Sequence, residues 1–286
     1  MILFRESFFN GLNDLFKKKP INVSFGPTSW NYEGWKGIVY WRSYRDSREF
    51  RNASIEEVYT FPLFSFVEID FTYYSFPSNQ VLAKFKSAPT DFPLVFKVPK
   101  PFMDPNTDEF LNFEAFQRFL DPFKNLEEKK LIFHFQFSHL KENPDYVRDK
   151  LLDFVAKMTP SCAISVEFRN STFLQFWDQL VSAGVIPTLN HWTYMPSLRE
   201  QAKFLPKNLD IVYVRLLTPR NVSYSEAVKM FEPYREIKQR NFEARNDVKQ
   251  VILNLPARQF YIAVNNRFEG CGPLTIKELL EEIVYA

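Results

Sequence analysis

In residues 163–169, Ala-Ile-Ser-Val-Glu-Phe-Arg, a short β-rich run, Ala163–Phe168, is followed directly by the charge of Arg169. Side chains two apart in a strand share a face, so Glu167 and Arg169 point the same way. The same kind of run recurs on either side of this one. Towards the N-terminus lie Leu131–Phe137, Leu94–Val98, Ser65–Ile69 and Ile21–Phe25; towards the C-terminus lie Val185–Leu189, Ile211–Leu216 and Phe260–Val264. The stretches between read as helices, at Phe113–Leu126, Tyr146–Met158, Phe173–Ala183, Ser225–Leu255 and Thr275–Val284. In the first of these, Phe113, Phe116, Phe119 and Leu120 fall on one helical face. Eight alternating units predict an α/β chain with a parallel sheet. The length of 286 residues fits one (β/α)8 barrel of TIM type, roughly 250 residues plus an extension. A doubly wound open sheet shows the same alternation, because the runs do not reveal whether the sheet closes.

The barrel is expected over 21–286, as a single domain. Residues 1–20 are expected to form an N-terminal amphipathic helical extension, with Phe4, Phe8, Leu12, Leu15 and Phe16 at helical spacing, closing the barrel floor. Arg5, Glu6 and Asn10 interrupt any unbroken apolar stretch there, which argues against a signal peptide. Trp41–Ser54 is polar and reads as a surface insertion.

Charge and composition remove several function classes. Thirty-six basic residues against 34 acidic ones give a formal net charge of +2, which exerts no global pull on nucleic acid or anionic lipid. Lys17–Lys19 and Arg235–Arg245 are local basic stretches, the second broken by acids, so nucleic-acid binding is a weak alternative. No apolar run approaches the roughly 20 residues that span a bilayer. Cys162 and Cys271 fall near opposite ends of the expected barrel, so no disulfide is expected and a cytoplasmic setting is the simplest. His134, His139 and His191 stand in no metal-ligand motif. With seven glycines there is no phosphate-cradling loop, so neither metal nor cofactor is expected.

In barrels of this type the functional site lies at the carboxyl ends of the strands. There the sequence places Glu68 and Asp70, Lys97, Gln136, Glu167 and Arg169, Asn190, Arg215, and Asn265 with Asn266; the turn after the first run adds Trp30, Tyr32 and Trp35. Charge at the ends of apolar strands is costly without partners. Such a ring is therefore either a set of ion pairs plugging the mouth or a ligand site.

These segments resemble the YecE-like family, the domain of unknown function 72, whose members are TIM-type barrels without a settled activity. The resemblance rests on Gly26-Pro-Thr-Ser-Trp30, Val67-Glu-Ile-Asp-Phe-Thr-Tyr-Tyr74 with Pro77-Ser78, and Phe96-Lys-Val-Pro99. It continues through Phe135-Gln-Phe137, Val166-Glu-Phe-Arg169, Tyr213-Val-Arg-Leu216 and Val264-Asn-Asn266 with Gly270. Where the family usually carries Thr-His beyond the third-strand lysine, this chain has Phe102-Met103-Asp104. Leu217-Thr218 stands for His-Gly, and Asn190 for Asp.

The leading expectation is a pocket for a small anionic or polyhydroxylated ligand, worked on by acid–base chemistry of hydrolase, lyase or isomerase type. Glu68 and Glu167 are the expected proton-handling pair. Lys97, Arg169 and Arg215 would hold an anion. Gln136, Asn190, Asn265 and Asn266 would bond hydroxyls, Asp70 would join them, and Trp30 and Tyr32 would stack on a ring. The departures at Phe102-Met103-Asp104 and Asn190 also suit a non-catalytic binding or sensing protein on the same scaffold.

Overall fold

The protein is described by a computed structural model over residues 2–138, 140–158 and 162–285; His139 lies outside the described residues. Eight parallel strands follow one another around the sheet: β1 (Val23–Pro27), β2 (Val67–Ile69), β3 (Leu94–Lys97), β4 (Leu131–Phe137), β5 (Ala163–Phe168), β6 (Ile186–His191), β7 (Ile211–Leu216) and β8 (Gln259–Val264). Each strand pairs with the next from β2 to β8, and β8 pairs with β1. The circle closes between β1 and β2 through a parallel bridge, Thr28 to Glu68. Two hydrogen bonds flank it, Ser65 N to Phe25 O at 2.7 Å and Ser29 N to Glu68 O at 2.8 Å. The fold is a (β/α)8 barrel rather than an open sheet.

Two layers of apolar side chains hold it. Inside the barrel, Phe66, Val95, Ile132, Ile186, Tyr213 and Ala263 pack together below the strand ends. Between strands and helices lies a thick aromatic shell. Phe116, on the inner face of helix Phe113–Leu120, meets the rings of Phe102, Phe119, Phe133, Phe135 and Phe154. A phenylalanine-rich sequence thus fills the space that branched aliphatics usually occupy, with rings mostly tilted or edge-on as their quadrupoles prefer.

The helices differ from the expected spans where proline or capping intervenes. The stretch expected as one helix over Ser225–Leu255 is two, Tyr224–Phe231 and Phe242–Asn254. Pro233 lacks an amide hydrogen and cannot continue the first, and Asn241 caps the second by accepting from Ala244 N. Likewise Asp121-Pro122 ends the helix begun at Phe113, which continues as a 3-10 segment. The polar insertion contains a short helix, Ser47–Ala53, capped by Asp46 and anchored by buried Phe50.

The N-terminal helix, Ile2–Lys17, packs on the outer apolar layer, where Phe9 meets Phe61 and Trp41 and Leu12 and Leu15 are buried.

The seam between β1 and β2 depends on Gly26. A Cβ there would strike the Phe66 carbonyl oxygen and ring, so the strands meet only because this residue has no side chain. Gly26→Ala is expected to lower stability by about 1–3 kcal/mol through overpacking. Gly11→Ala, in the exposed N-terminal helix with open space around it, is expected to raise stability by about 0.5–1 kcal/mol. Urea unfolding of the two variants should show shifts of opposite sign.

Candidate functional site at the carboxyl ends of the strands

Above the apolar plug the barrel interior turns polar, and its centre is one guanidinium. Arg215, inward on β7 and only 3% exposed, sends Nε and Nη2 to the two carboxylate oxygens of Glu68 at 2.8 and 2.7 Å. Its Nη1 donates to Gln136 Oε1 at 3.0 Å and to a Glu167 oxygen. Tyr213, two residues earlier on the same face, donates to Glu68 at 2.7 Å. Glu167 also accepts from Arg169 Nε at 2.8 Å and from His134 Nε2 at 3.3 Å, while His134 Nδ1 meets Ser165 Oγ at 2.9 Å. Three strands, β2, β4 and β5, are therefore tied to β7 by charge-assisted hydrogen bonds, or by neutral ones that share the same acceptors.

These pairings decide the ionisation of the two glutamates. Burial alone raises each carboxyl, but Arg215 beside both and Arg169 beside one pull them below the usual range, Glu167 furthest. The ionised form is favoured in both carboxyls of the expected pair, Glu68 and Glu167, and each is engaged in an ion pair with Arg215, which already makes four hydrogen bonds.

Above this frame opens a cavity of about 580 Å³. Its floor and walls include Thr28, Glu68, Asp70, Lys97, Gln136, Arg169, Arg215 and Asn265, with Tyr32, Tyr73, Tyr74, Trp192, Tyr224 and Tyr234 as an aromatic wall and Arg267 at the side. A smaller recess lined by Met103, Asp104 and Ser138 shares Tyr73 and Gln136 with it. The residues expected at this face converge here, with five exceptions. Trp30 and Trp35 are buried outside the cavity, Trp30 edge-on to Phe85. Asn266 turns away to bind Trp35 Nε1 at 3.0 Å and Gly272 N at 2.8 Å. Asn190 donates to the Phe168 carbonyl at 2.9 Å and does not line the cavity. Glu167 lies beneath, reached only through the arginines.

Other residues came into the site without a clear sequence signal. Trp192 lies two residues past Asn190, and strand alternation continued one step would have placed it inward; its ring lies under the Arg169 guanidinium, 3.9 Å from centroid to Cζ. Tyr234 is held at φ 64°, in the left-handed region that a bulky residue rarely adopts, and faces Tyr32 edge-on at 5.4 Å. Arg267 follows Asn265, whose side chain fixes its backbone N–H at 2.9 Å; its guanidinium sits over Tyr224 at 4.5 Å, and its buried Nε has no protein partner among the described residues.

Two titratable groups of the cavity are not neutralised by close pairing. Lys97, at the end of β3 and 8% exposed, has no carboxylate within ion-pair distance among the described residues, and its Nζ lies 4.1 Å from the centre of the Tyr73 ring. Burial, reinforced by Arg215, pushes its pKa down to about 8. Asp70 is raised, first by burial and then by the charge of Glu68. No group of three His, Cys, Asp or Glu placed to hold a metal occurs among the described residues. No helix among them is long and apolar enough to cross a membrane.

The family model described as "Protein of unknown function DUF72" matches residues 24–285. The chain belongs to this family. Among solved structures, a DUF72 family protein from Thermotoga maritima superposes with a TM-score of 0.59 at 21% identity, covering 91% of this chain and 99% of that one. A DUF72 family protein from Enterococcus faecalis gives 0.61 at 18% identity, covering 92% and 98%. At such identities the likeness is one of fold. A search of curated proteins gives no match.

Two stability measurements test this account of the DUF72 site. Glu68 and Glu167 have folded pKa values below the unfolded value of 4.5, so their contribution is complete above that pH and is lost as pH falls through the folded values. Arg215→Met leaves Glu68 buried with no cation beside it and Glu167 with Arg169 as its remaining ion-pair partner. It is expected to cost about 3–5 kcal/mol at neutral pH, with the deficit narrowing in acid as the carboxyls protonate. Lys97 behaves oppositely. Its folded pKa of about 8 lies below the unfolded 10.5, so a penalty is present below pH 8 and is relieved as pH rises between the two values. Lys97→Met is expected to raise the melting temperature at pH 7 by a few degrees, with the gain shrinking towards pH 10.

Proposed function

We propose that this DUF72 barrel binds a small anionic or polyhydroxylated ligand in the carboxyl-end cavity and acts on it by acid–base chemistry of hydrolase, lyase or isomerase type. One observation carries this proposal. The cavity holds a desolvated, unpaired lysine and a carboxyl raised by burial, above a frame in which the other acids and bases neutralise one another. Groups displaced towards neutral pH in a concave site are the ones suited to move protons there.

In this scheme Lys97 and Asp70 handle protons, and Glu68, Glu167 and Arg215 are positioning residues. Arg267, whose side chain lines the cavity and whose backbone N–H is held by Asn265, supplies an anion contact. Arg169 is oriented by Glu167 and Gln136, at 2.8 Å each, and presents its remaining edge beside Trp192. Gln136 gives both arginines its oxygen and keeps its amide hydrogens for the ligand. The tyrosine wall combines ring faces with hydroxyls, which suits a sugar or an aromatic ring bearing polar groups.

A thermal-shift screen of sugar phosphates, carboxylic acids and oligosaccharides tests the proposal, since a ligand that binds only the folded state raises the melting temperature. The expected result is a hit among the anions whose affinity falls roughly tenfold or more in Arg267→Ala, the scale of one charge-assisted hydrogen bond, measured against that variant's own unliganded melting temperature. Binding that is indifferent to Arg267 and to Lys97 would remove the cavity from the account.

A further inference from the structure

We propose that Lys97 is a nucleophile, and that its ε-amine forms an imine with the carbonyl group of a small anionic aldehyde, ketone or keto acid bound in the cavity. The inference rests on the ligand site proposed above and adds the bond that forms there.

The geometry comes from the frame. Lys97 ends β3 opposite His134 of β4 and faces Glu68 and Asp70 from β2, Glu167 and Arg169 from β5, Arg215 from β7 and the ring of Tyr73. The two glutamates that face it are already committed. Glu68 is held bidentately by Arg215 and by Tyr213, and Glu167 by two arginines and His134. The ammonium is left with an aromatic face at 4.1 Å and with two nearby guanidiniums that oppose its charge. Neighbouring cations and loss of water are the two means by which proteins activate an amine. At pH 7 roughly one Lys97 in ten is the free amine, against roughly one in 2,500 for an ordinary lysine. Lys84 is also desolvated, over Trp30, Phe71 and Phe85, but it does not line the cavity.

The step balances within the site. The Nζ lone pair attacks the carbonyl carbon, and Asp70 relays one proton from the nitrogen to the carbonyl oxygen, giving the neutral carbinolamine. The remaining N–H proton passes by the same relay to the hydroxyl, which leaves as water, and Asp70 ends as it began. Amine and carbonyl compound thus become imine and water, with no oxidant or reductant. Once protonated, the imine accepts an electron pair from an adjacent C–H or C–C bond, which is the chemistry a lyase or isomerase needs. Arg267, whose side chain lines the cavity, is placed to hold the ligand's anionic group.

Pyridoxal 5′-phosphate, an aromatic aldehyde bearing a phosphate, is the probe, used as a reporter of amine reactivity. The intact protein is treated with it and borohydride, and modified peptides are mapped. The alcohol analogue pyridoxine 5′-phosphate, which cannot form an imine, is tested in parallel by thermal shift and as a competitor. The expected result is a reduced adduct on Lys97 at low probe concentration, at least tenfold above that on any other lysine including Lys84, lost with the alcohol in excess and absent in Lys97→Arg; the free-amine fractions allow a ratio on the order of a hundredfold. Its yield should rise with pH to a plateau above about 8. If the alcohol stabilises the protein but Lys97 takes no adduct, the nucleophile is overturned and the binding cavity stands. Adducts distributed over surface lysines, with Lys97 not preferred, overturn it as well. No stabilisation and no adduct on Lys97 overturn both.

Discussion

A single buried guanidinium organises this barrel. Arg215 crosses the interior from β7 and binds carboxylates from β2 and β5 and an amide from β4, so strands far apart in sequence are fixed relative to one another. Such a group is costly to bury and is tolerated because its partners are complete. Its presence also dictates what the neighbouring glutamates can do. They stay ionised and occupied, and the groups displaced towards neutral pH are those the brace leaves out, Lys97 and Asp70.

Much of the fold was legible because strand periodicity and strand length are local properties. The runs Leu131–Phe137, Ala163–Phe168 and Ile211–Leu216 coincide with β4, β5 and β7. Alternation placed Glu68 with Asp70, and Glu167 with Arg169, on the inner face. Closure was not legible, since it turns on the contact between Gly26 and Phe66, two residues 40 positions apart whose approach no local pattern announces. The helix break at Pro233 was legible in principle, and the apolar periodicity on either side concealed it.

The site was legible as a membership but less so as a set of roles. Sequence order brought the ring of polar strand ends together. It gave no distances, and the roles of Glu68 and Glu167 follow from distances to Arg215. Trp30 and Trp192 show the same limit from the other side. Both follow a strand, yet one packs on Phe85 in the shell and the other carries Arg169 at the cavity wall. The turn geometry that separates them is set by tertiary packing, not by the tryptophans.

The cavity wall is assembled from separate connections. Tyr32 follows β1, Tyr73 and Tyr74 follow β2, Trp192 follows β6, Tyr224 and Tyr234 follow β7, and Arg267 follows β8. None of these residues takes part in the brace around Arg215. Architecture and recognition are therefore inherited separately. A descendant of this chain can exchange one wall residue, and with it one feature of the molecule it accepts, while the scaffold that orients Lys97 passes on unchanged.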